Sequence, residues 1–203
     1  MRTLYVSDLD GTLLDRDQRV SEQTATIINE LVASGMLFTV ATARSTPSAR
    51  QVLADLDLRL PAVYMNGVLI VDPVTDTPLR RNVLPPDPAR DLIRDHLACG
   101  LNPFVYTFDA AGRYHAYYLG ATNACERDYV DRRRAAGDDR FTVVPDLAGA
   151  IDGDVLSLST IEPADRIAAL HRRLSTNPLL CCHFDHDIYM PSFSWLTIGH
   201  ADA

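Results

Sequence analysis

The stretch "TLYVSDLDGTLLDRD", residues 3–17, decides the fold. Its first five residues are mostly apolar or β-branched, which predicts a strand buried on both faces of a parallel sheet. Two aspartates, Asp8 and Asp10, follow at once with a single leucine between them. Carboxylates this close repel each other, and a divalent cation with oxygen ligands would offset that repulsion. The stretch therefore predicts a buried strand that ends in an acidic, cation-binding turn.

Strands and helices alternate in the first part of the chain. Strands are predicted at residues 36–41 and 62–66, and helices over about 22–34 and 46–56. Ser21 is a favourable N-cap for the first helix, and Pro47 stands at the favoured start of the second. The inward face of the first helix is predicted to carry Ile27, Ile28, Leu31 and Val32. This βαβαβ order implies a parallel sheet, and a hairpin is predicted over residues 66–84.

The proline-rich segment 85–90 is typical of a domain boundary. Beyond it the pattern predicts an antiparallel α+β layer. Its predicted strands are at 103–108, 113–119, 140–144, 154–160, 179–185 and 193–199. Its predicted helices cover about 88–99, 122–136 and 163–174, with a helical turn near 146–151. In the first of these helices Leu92, Ile93 and Leu97 are expected to point inward.

Composition excludes several classes of protein. The chain is 47 % hydrophobic and 23 % charged, with a net charge of −8 and a pI near 5.1. An acidic chain of this kind has no electrostatic surface for nucleic acid or an anionic membrane. No apolar run approaches the ~20 residues that a helix needs to span a bilayer. The four cysteines form no CxxC pair and no signal peptide is evident, so a reducing, cytoplasmic location is expected.

Polar residues follow all three predicted parallel strands. They are Asp8 and Asp10, Thr42 and Arg44, and Asn66 and Gly67. Because ligands collect beyond the carboxyl ends of such strands, these residues are expected to share one crevice. Carboxylates suit magnesium, and a hydroxyl with a guanidinium suits a phosphate. A pair of aspartates alone is as typical of a surface loop or a helix cap, and the longer acidic series of a calcium-binding EF-hand is missing.

The motifs resemble those of one superfamily. "VSDLDGTLL" is similar to the first motif of the haloacid dehalogenase (HAD) phosphohydrolases, and "FTVATARS" resembles their second. "YMNGVLI" resembles the Asn-Gly turn of the Cof-type sugar phosphatases, and "SFSWLTIGHADA" looks like the point where their chain returns to the core. The resemblance implies an α/β fold with a partial Rossmann-like core, residues 1–84. An inserted α+β cap, residues 85–199, and a return linker, residues 200–203, would follow.

The resemblance also implies a role for each motif residue. Asp8 would be the nucleophile that forms an aspartyl-phosphate, and Asp10 the general acid and base. The Asp8 carboxylate and the Asp10 backbone carbonyl would hold Mg²⁺. Phosphate would be bound by Thr42 with the backbone around Leu9, Gly11 and Ala43. Arg44, Asn66 and Gly67 would contact substrate, although Arg44 is equally suited to a salt bridge at a helix start and Asn66 to a left-handed turn.

The function implied is a magnesium-dependent phosphatase of small phosphorylated metabolites, especially sugar phosphates, with its pocket between core and cap. Two alternatives stay open: a phosphomutase of the same superfamily, and a catalytically incomplete module that binds a ligand or a partner.

The third and fourth motifs of the superfamily are not found. The third supplies a lysine, but all nineteen basic residues here are arginine. The fourth supplies a Gly-Asp motif, and the two Gly-Asp pairs, near residues 137 and 153, are predicted to be cap turns. The expectation is therefore that the sequence is part of a longer chain. Alone it would bind magnesium poorly, show little activity and self-associate through the unpaired edge of residues 3–7.

The segment "CCHFDHD", residues 181–187, offers thiols, imidazoles and carboxylates with strand spacing, so a zinc or iron site is one interpretation. The favoured interpretation is a cap hairpin with a polar turn. Cys99 and Cys125 are predicted to be small buried residues, Trp195 to lie in the core, and residues 131–134 to form the solvated face of a helix.

Overall fold

The structure is a computed structural model that describes residues 2–187 and 190–203. The chain divides into two compact units, which are residues up to Asn82 together with Ala203, and Val83–Asp202. The interpretation of these parts as a core, a cap and a return linker stays a prediction.

The first unit begins with the predicted alternation of strands and helices. Its elements are β1 (Leu4–Ser7), α1 (Glu22–Ala33), β2 (Leu37–Val40), α2 (Thr46–Leu53) and β3 (Ala62–Tyr64). The hydroxyl of Ser21 accepts a hydrogen bond from the Thr24 amide at 3.1 Å, which confirms the predicted N-cap. β1 and β2 pair in parallel, and a parallel bridge between Ala41 and Val63 places β3 beside β2. The parallel α/β arrangement is therefore confirmed.

The predicted hairpin is also present. β4 (Leu69–Asp72) and β5 (Thr77–Arg81) pair in antiparallel fashion across a turn in which the Asp72 carboxylate accepts hydrogen bonds from the amides of Val74 and Thr75. β4 also pairs with β3, so the hairpin extends from the third strand of the unit.

Two burial predictions for this unit are wrong. β1 is not buried, because within the described residues it pairs with β2 alone, and Leu4, Tyr5 and Val6 are each more than half exposed. In α1 the buried stripe carries Ala25 and Val32. The predicted Ile27 and Leu31 are nearly half exposed, because at 100° per residue they lie about 150° and about 110° from the middle of that stripe. Self-association through β1 stays a prediction.

The described residues of the second unit form six strands and three helices. They are α3 (Pro86–Ala98), β6 (Phe104–Phe108), β7 (Tyr114–Tyr118), α4 (Ala124–Ala135), β8 (Phe141–Val143), β9 (Val155–Glu162), α5 (Ala164–Leu174), β10 (Leu180–His186) and β11 (Ser194–His200). The strands form one sheet in the order β10-β11-β9-β6-β7-β8.

The sheet is not wholly antiparallel, which corrects the prediction. β8 runs parallel to β7, because α4 connects the two strands and returns the chain to the end of the sheet at which β7 begins. The helical turn predicted near 146–151 is a hydrogen-bonded turn, in which the Ala150 amide donates to the Asp146 carbonyl at 3.1 Å.

Most large apolar side chains of this unit lie in one core with α3 and α5. The buried face of α3 carries Ala89, Leu92, Ile93 and His96. Leu97 is 40 % exposed, because it lies about a quarter turn away from that face, and His96 takes the inward position instead. Cys125 is buried as predicted, whereas Cys99 is exposed at the C-terminal end of α3.

Three other predictions concern this unit. Trp195 is only partly buried, and within residues 131–134 only Arg133 is partly buried, with its guanidinium over the Tyr129 ring. β10 and β11 form the expected hairpin. Across the described residues, no group of three or more histidine, cysteine, aspartate or glutamate side chains is arranged to hold a metal ion.

Candidate active site

The acidic turn follows β1 directly. Asp8 keeps an extended backbone, and the chain then turns over Leu9–Leu13, with non-helical backbone angles at Asp10 and Gly11 and a closing hydrogen bond of 2.9 Å from the Leu14 amide to the Leu9 carbonyl. Leu9 is completely buried and anchors the turn, while Asp8 is exposed. Gly11 has φ of 79°, a left-handed conformation that costs most residues free energy. The left-handed backbone at this position therefore favours glycine.

Asp8 is accessible from solvent. Its carboxylate accepts a hydrogen bond of 3.3 Å from the Thr12 hydroxyl, and its backbone carbonyl accepts one of 2.8 Å from the Ser7 hydroxyl. Thr12 was not among the predicted site residues, although it stands inside the "DLDGTLL" motif, four positions after Asp8.

Asp10 is bound by Arg44 through two hydrogen bonds. Arg44 Nε donates to Oδ2 and Nη2 donates to Oδ1, each at 2.7 Å. The Arg44 side chain is 11 % exposed and that of Asp10 34 % exposed. Arg44 Nη2 also donates to the Gln18 side-chain oxygen at 3.0 Å. The salt bridge left open by the sequence exists, but its partner is the predicted general acid.

Thr42 lies at the carboxyl end of β2, opposite the start of the acidic turn. The Ala41 amide donates to the Ser7 carbonyl at 2.9 Å, so the two strands meet one residue before Asp8 and Thr42. Thr42 is buried, and its hydroxyl oxygen accepts a hydrogen bond of 3.1 Å from the Arg44 amide. The hydroxyl hydrogen is then free to be donated elsewhere.

The turn after β3 supports this loop from the other side. The Asn66 amide donates to the Thr42 carbonyl at 3.2 Å, and the Met65 amide donates to the Arg44 carbonyl at 3.1 Å. Met65, Asn66 and Gly67 all have positive φ, at 54°, 56° and 97°. Strain of this kind persists only where the surrounding structure holds it in place. Asn66 therefore acts here through its backbone, as the left-handed turn that the sequence left open.

The structure thus links most predicted residues through backbone or side-chain hydrogen bonds. Asp10, Arg44, Thr42 and Asn66 form one connected set, and Asp8 begins the same turn as Asp10. Ala43 is exposed between Thr42 and Arg44. Gln18 was missed, because a glutamine in the polar segment "DRDQR" is typical of any surface loop and carries no signal of its partner.

The donor atoms fit a magnesium ion. Asp8 offers an exposed carboxylate, and carboxylate and carbonyl oxygens are the ligands that Mg²⁺ prefers. Both carboxylate oxygens of Asp10 already bind Arg44, so Asp10 would contribute its backbone carbonyl, as the resemblance implies.

The sequence pattern of one family, described as haloacid dehalogenase-like hydrolase, matches residues 5–146. The chain therefore belongs to the haloacid dehalogenase-like hydrolases. Within the structure these residues include the acidic turn, the Thr42–Arg44 loop and the left-handed turn.

Two curated relatives are phosphatases. The chain is 33 % identical to an HMP-PP phosphatase of Serratia proteamaculans over 47 % of its own length and 35 % of the relative. It is 34 % identical to 5-amino-6-(5-phospho-D-ribitylamino)uracil phosphatase YwtE of Bacillus subtilis over 54 % of its length and 40 % of the relative. The chain thus matches two fifths or less of the length of these two relatives.

The fold is shared with solved HAD structures. A haloacid dehalogenase-like hydrolase from B. subtilis superposes with a TM-score of 0.76 at 16 % identity, and the match covers 98 % of this chain and 74 % of that one. No helix in the described residues has both the length and the apolar character to cross a membrane.

Proposed function

We propose that the protein is a magnesium-dependent phosphatase that hydrolyses small phosphorylated metabolites, sugar phosphates among them, through an aspartyl-phosphate on Asp8. One observation carries the proposal: the exposed Asp8 carboxylate and the Asp10–Arg44 pair stand at the adjoining carboxyl ends of two parallel strands. The carboxyl edge of a parallel sheet is where α/β proteins bind ligands. A nucleophile, an acid and a phosphate-binding hydroxyl would then share one edge.

The proposed reaction has two steps. In the first, an Asp8 oxygen forms a bond to phosphorus, the ester P–O bond breaks, and Asp10 gives its proton to the leaving oxygen. In the second, a water oxygen bonds to phosphorus, the bond to Asp8 breaks, and Asp10 takes the proton from water. Asp8 and Asp10 return to their starting states, and the products are the alcohol and inorganic phosphate.

Thr42 would bind the transferring group. Because its oxygen accepts the Arg44 amide hydrogen, its hydroxyl hydrogen is available for a phosphoryl oxygen. Amides of the turn from Leu9 to Gly11 and of Ala43 would add donors, since backbone N–H groups in such turns suit anions. Bound Mg²⁺ would supply charge neutralisation between Asp8 and the phosphoryl oxygens.

The substrate class is supported by the relatives. Both are named as phosphatases, and the compound in the name of YwtE carries a phosphorylated ribityl chain. A small phosphorylated metabolite is the partner proposed here. The cytoplasmic location stays a prediction, and the four cysteines are free thiols, as a reducing compartment requires.

Phosphate release by the natural protein tests the proposal. A hexose 6-phosphate and p-nitrophenyl phosphate should both be hydrolysed with Mg²⁺ and not after chelation. Asp8→Asn should lower turnover by at least ~10³-fold, because it removes the nucleophile. Asp17→Asn is the matched control, since Asp17 is an exposed carboxylate in the loop that follows the turn.

Three results would contradict the proposal in different ways. Near-normal turnover by Asp8→Asn would exclude Asp8 as the nucleophile. An isomerised product without free phosphate would indicate a phosphomutase. Absence of turnover on every phosphate ester, with tight ligand binding retained, would indicate a binding module.

A further inference from the structure

Arg44 makes the most constrained side-chain contact at the candidate site. Its guanidinium meets Asp10 with two parallel hydrogen bonds of 2.7 Å, the geometry in which arginine fixes both the position and the plane of a carboxylate. The third contact, to Gln18 at 3.0 Å, holds the guanidinium from another direction. The pair joins residues that are 34 positions apart in sequence, so the fold brings them together.

The arginine is itself held firmly. Its amide donates to the Thr42 hydroxyl and its carbonyl accepts from the Met65 amide, both at 3.1 Å. Only 11 % of its side chain is exposed. A side chain fixed at its backbone, along its length and at its tip loses little further freedom when it holds a partner in place, which is the property required of a residue that supports an active site.

Asp10 needs such support because both of its proposed tasks depend on position. It must give a proton to the leaving oxygen and then take one from water, and proton transfer needs hydrogen-bond distances of about 2.6–3.2 Å. Each carboxylate oxygen that accepts one hydrogen from Arg44 keeps a second lone pair. The salt bridge can therefore orient Asp10 and leave it an oxygen for the proton.

We infer that Arg44 is the positioning residue for Asp10, acting through the carboxyl group in both proton transfers and not by binding the phosphate. This inference rests on the proposed function. It also assigns to the "ATARS" segment a second role beside that of Thr42.

The test compares two substrates in the natural protein. An alkyl phosphate needs a proton on its leaving oxygen, whereas p-nitrophenolate leaves without one. Arg44→Gln should therefore lower kcat/KM, which reports only the steps up to departure of the leaving group, about 10²-fold for a hexose 6-phosphate and less than about 10-fold for p-nitrophenyl phosphate. Arg44→Lys should recover part of the loss, because lysine keeps the charge without the two-point geometry.

Arg50→Gln is the matched control, because Arg50 lies in α2 of the same unit and pairs with the exposed Asp76. Arg50→Gln should not lower turnover of one substrate more than turnover of the other. Equal losses on both substrates for Arg44→Gln, or a loss confined to KM, would overturn the inference, because they indicate a structural or a phosphate-binding arginine. Turnover by Asp8→Asn would instead overturn the proposed function, so the two failures can be told apart.

Discussion

The imidazole of His96 shows how a single residue can set a response to pH. His96 is completely buried in α3, its Nδ1 lies 2.7 Å from the Leu92 carbonyl, and its Nε2 has no hydrogen-bond partner within the described residues. Burial lowers the pKa of His96, against the smaller upward effects of the Leu92 carbonyl and Asp95. Folding therefore favours the neutral form of the ring.

This burial predicts loss of stability in acid. The unfolded chain binds the His96 proton at about pH 6.5, and the folded chain does so only at lower pH. Protonation of His96 in the unfolded chain therefore costs no stability above about pH 6.5. As the pH falls below that value, the free energy of unfolding decreases by up to ~1.4 kcal/mol per pH unit. Urea unfolding between pH 8 and pH 5 measures it, and His96→Met should flatten the slope. An unchanged slope in that variant would exclude His96 as the source.

Sequence could not have assigned His96 to the core. The spacing of Leu92 and Ile93 defines the inward stripe, but Leu97 is the more apolar candidate for its next position. Which of His96 and Leu97 points inward depends on the rotation of α3 about its axis, and that rotation is set by the packing of the entire helix against the sheet. The same limit explains why Gln18 was missed, because its hydrogen bond with Arg44 depends on a loop conformation that no local sequence pattern predicts.

At the scale of elements, the β10–β11 hairpin depends on Asp187. This buried carboxylate accepts hydrogen bonds of 2.7 Å from the Trp195 indole and from the Met190 amide. Its own amide donates to the Phe193 carbonyl at 3.0 Å. Asp187 thus fixes both ends of the turn that follows β10.

Asp187→Ala should destabilise the protein by about 1–3 kcal/mol, because it leaves a partly buried indole N–H and an amide without their acceptor. Trp195 is the single tryptophan, so its fluorescence reports this site directly. We expect an altered emission maximum in the folded variant and an earlier transition in urea. Asp185→Ala, at an exposed position of β10, is the control, and equal stability of the two variants would contradict this role.

The elements themselves were largely predictable. Apolar runs, Ser21 and the prolines identified strands and helices, because these signals are local. The parallel pairing of β8 with β7 was missed, since it depends on where α4 directs the chain. At the site, the motif residues Asp8, Asp10 and Thr42 were found from their positions after predicted strands and received their roles through resemblance, whereas the left-handed Met65 and the Asp10–Arg44 pair required coordinates.

At the scale of the molecule, β1 presents an apolar edge. Leu4, Tyr5 and Val6 are 52–54 % exposed, and a strand with unpaired backbone groups tends to recruit another strand. We expect the 203-residue chain to self-associate through this edge as its concentration rises, and Val6→Glu to shift it toward monomer. Sedimentation velocity over a range of concentrations measures this. Val74→Glu, in the exposed β4–β5 turn, is the control, and a chain that stays monomeric throughout would contradict the expectation.

Asp8 is proposed to carry the phosphoryl group during turnover. Borohydride reduces an acyl phosphate to an alcohol, so treatment during turnover should convert Asp8 to homoserine, which mass spectrometry of the peptide containing residues 3–15 detects. We predict this conversion in the natural protein with Mg²⁺ and a phosphate ester, and its absence in Asp8→Asn and without substrate. Release of phosphate with an unmodified Asp8, or conversion of another residue, would contradict the account.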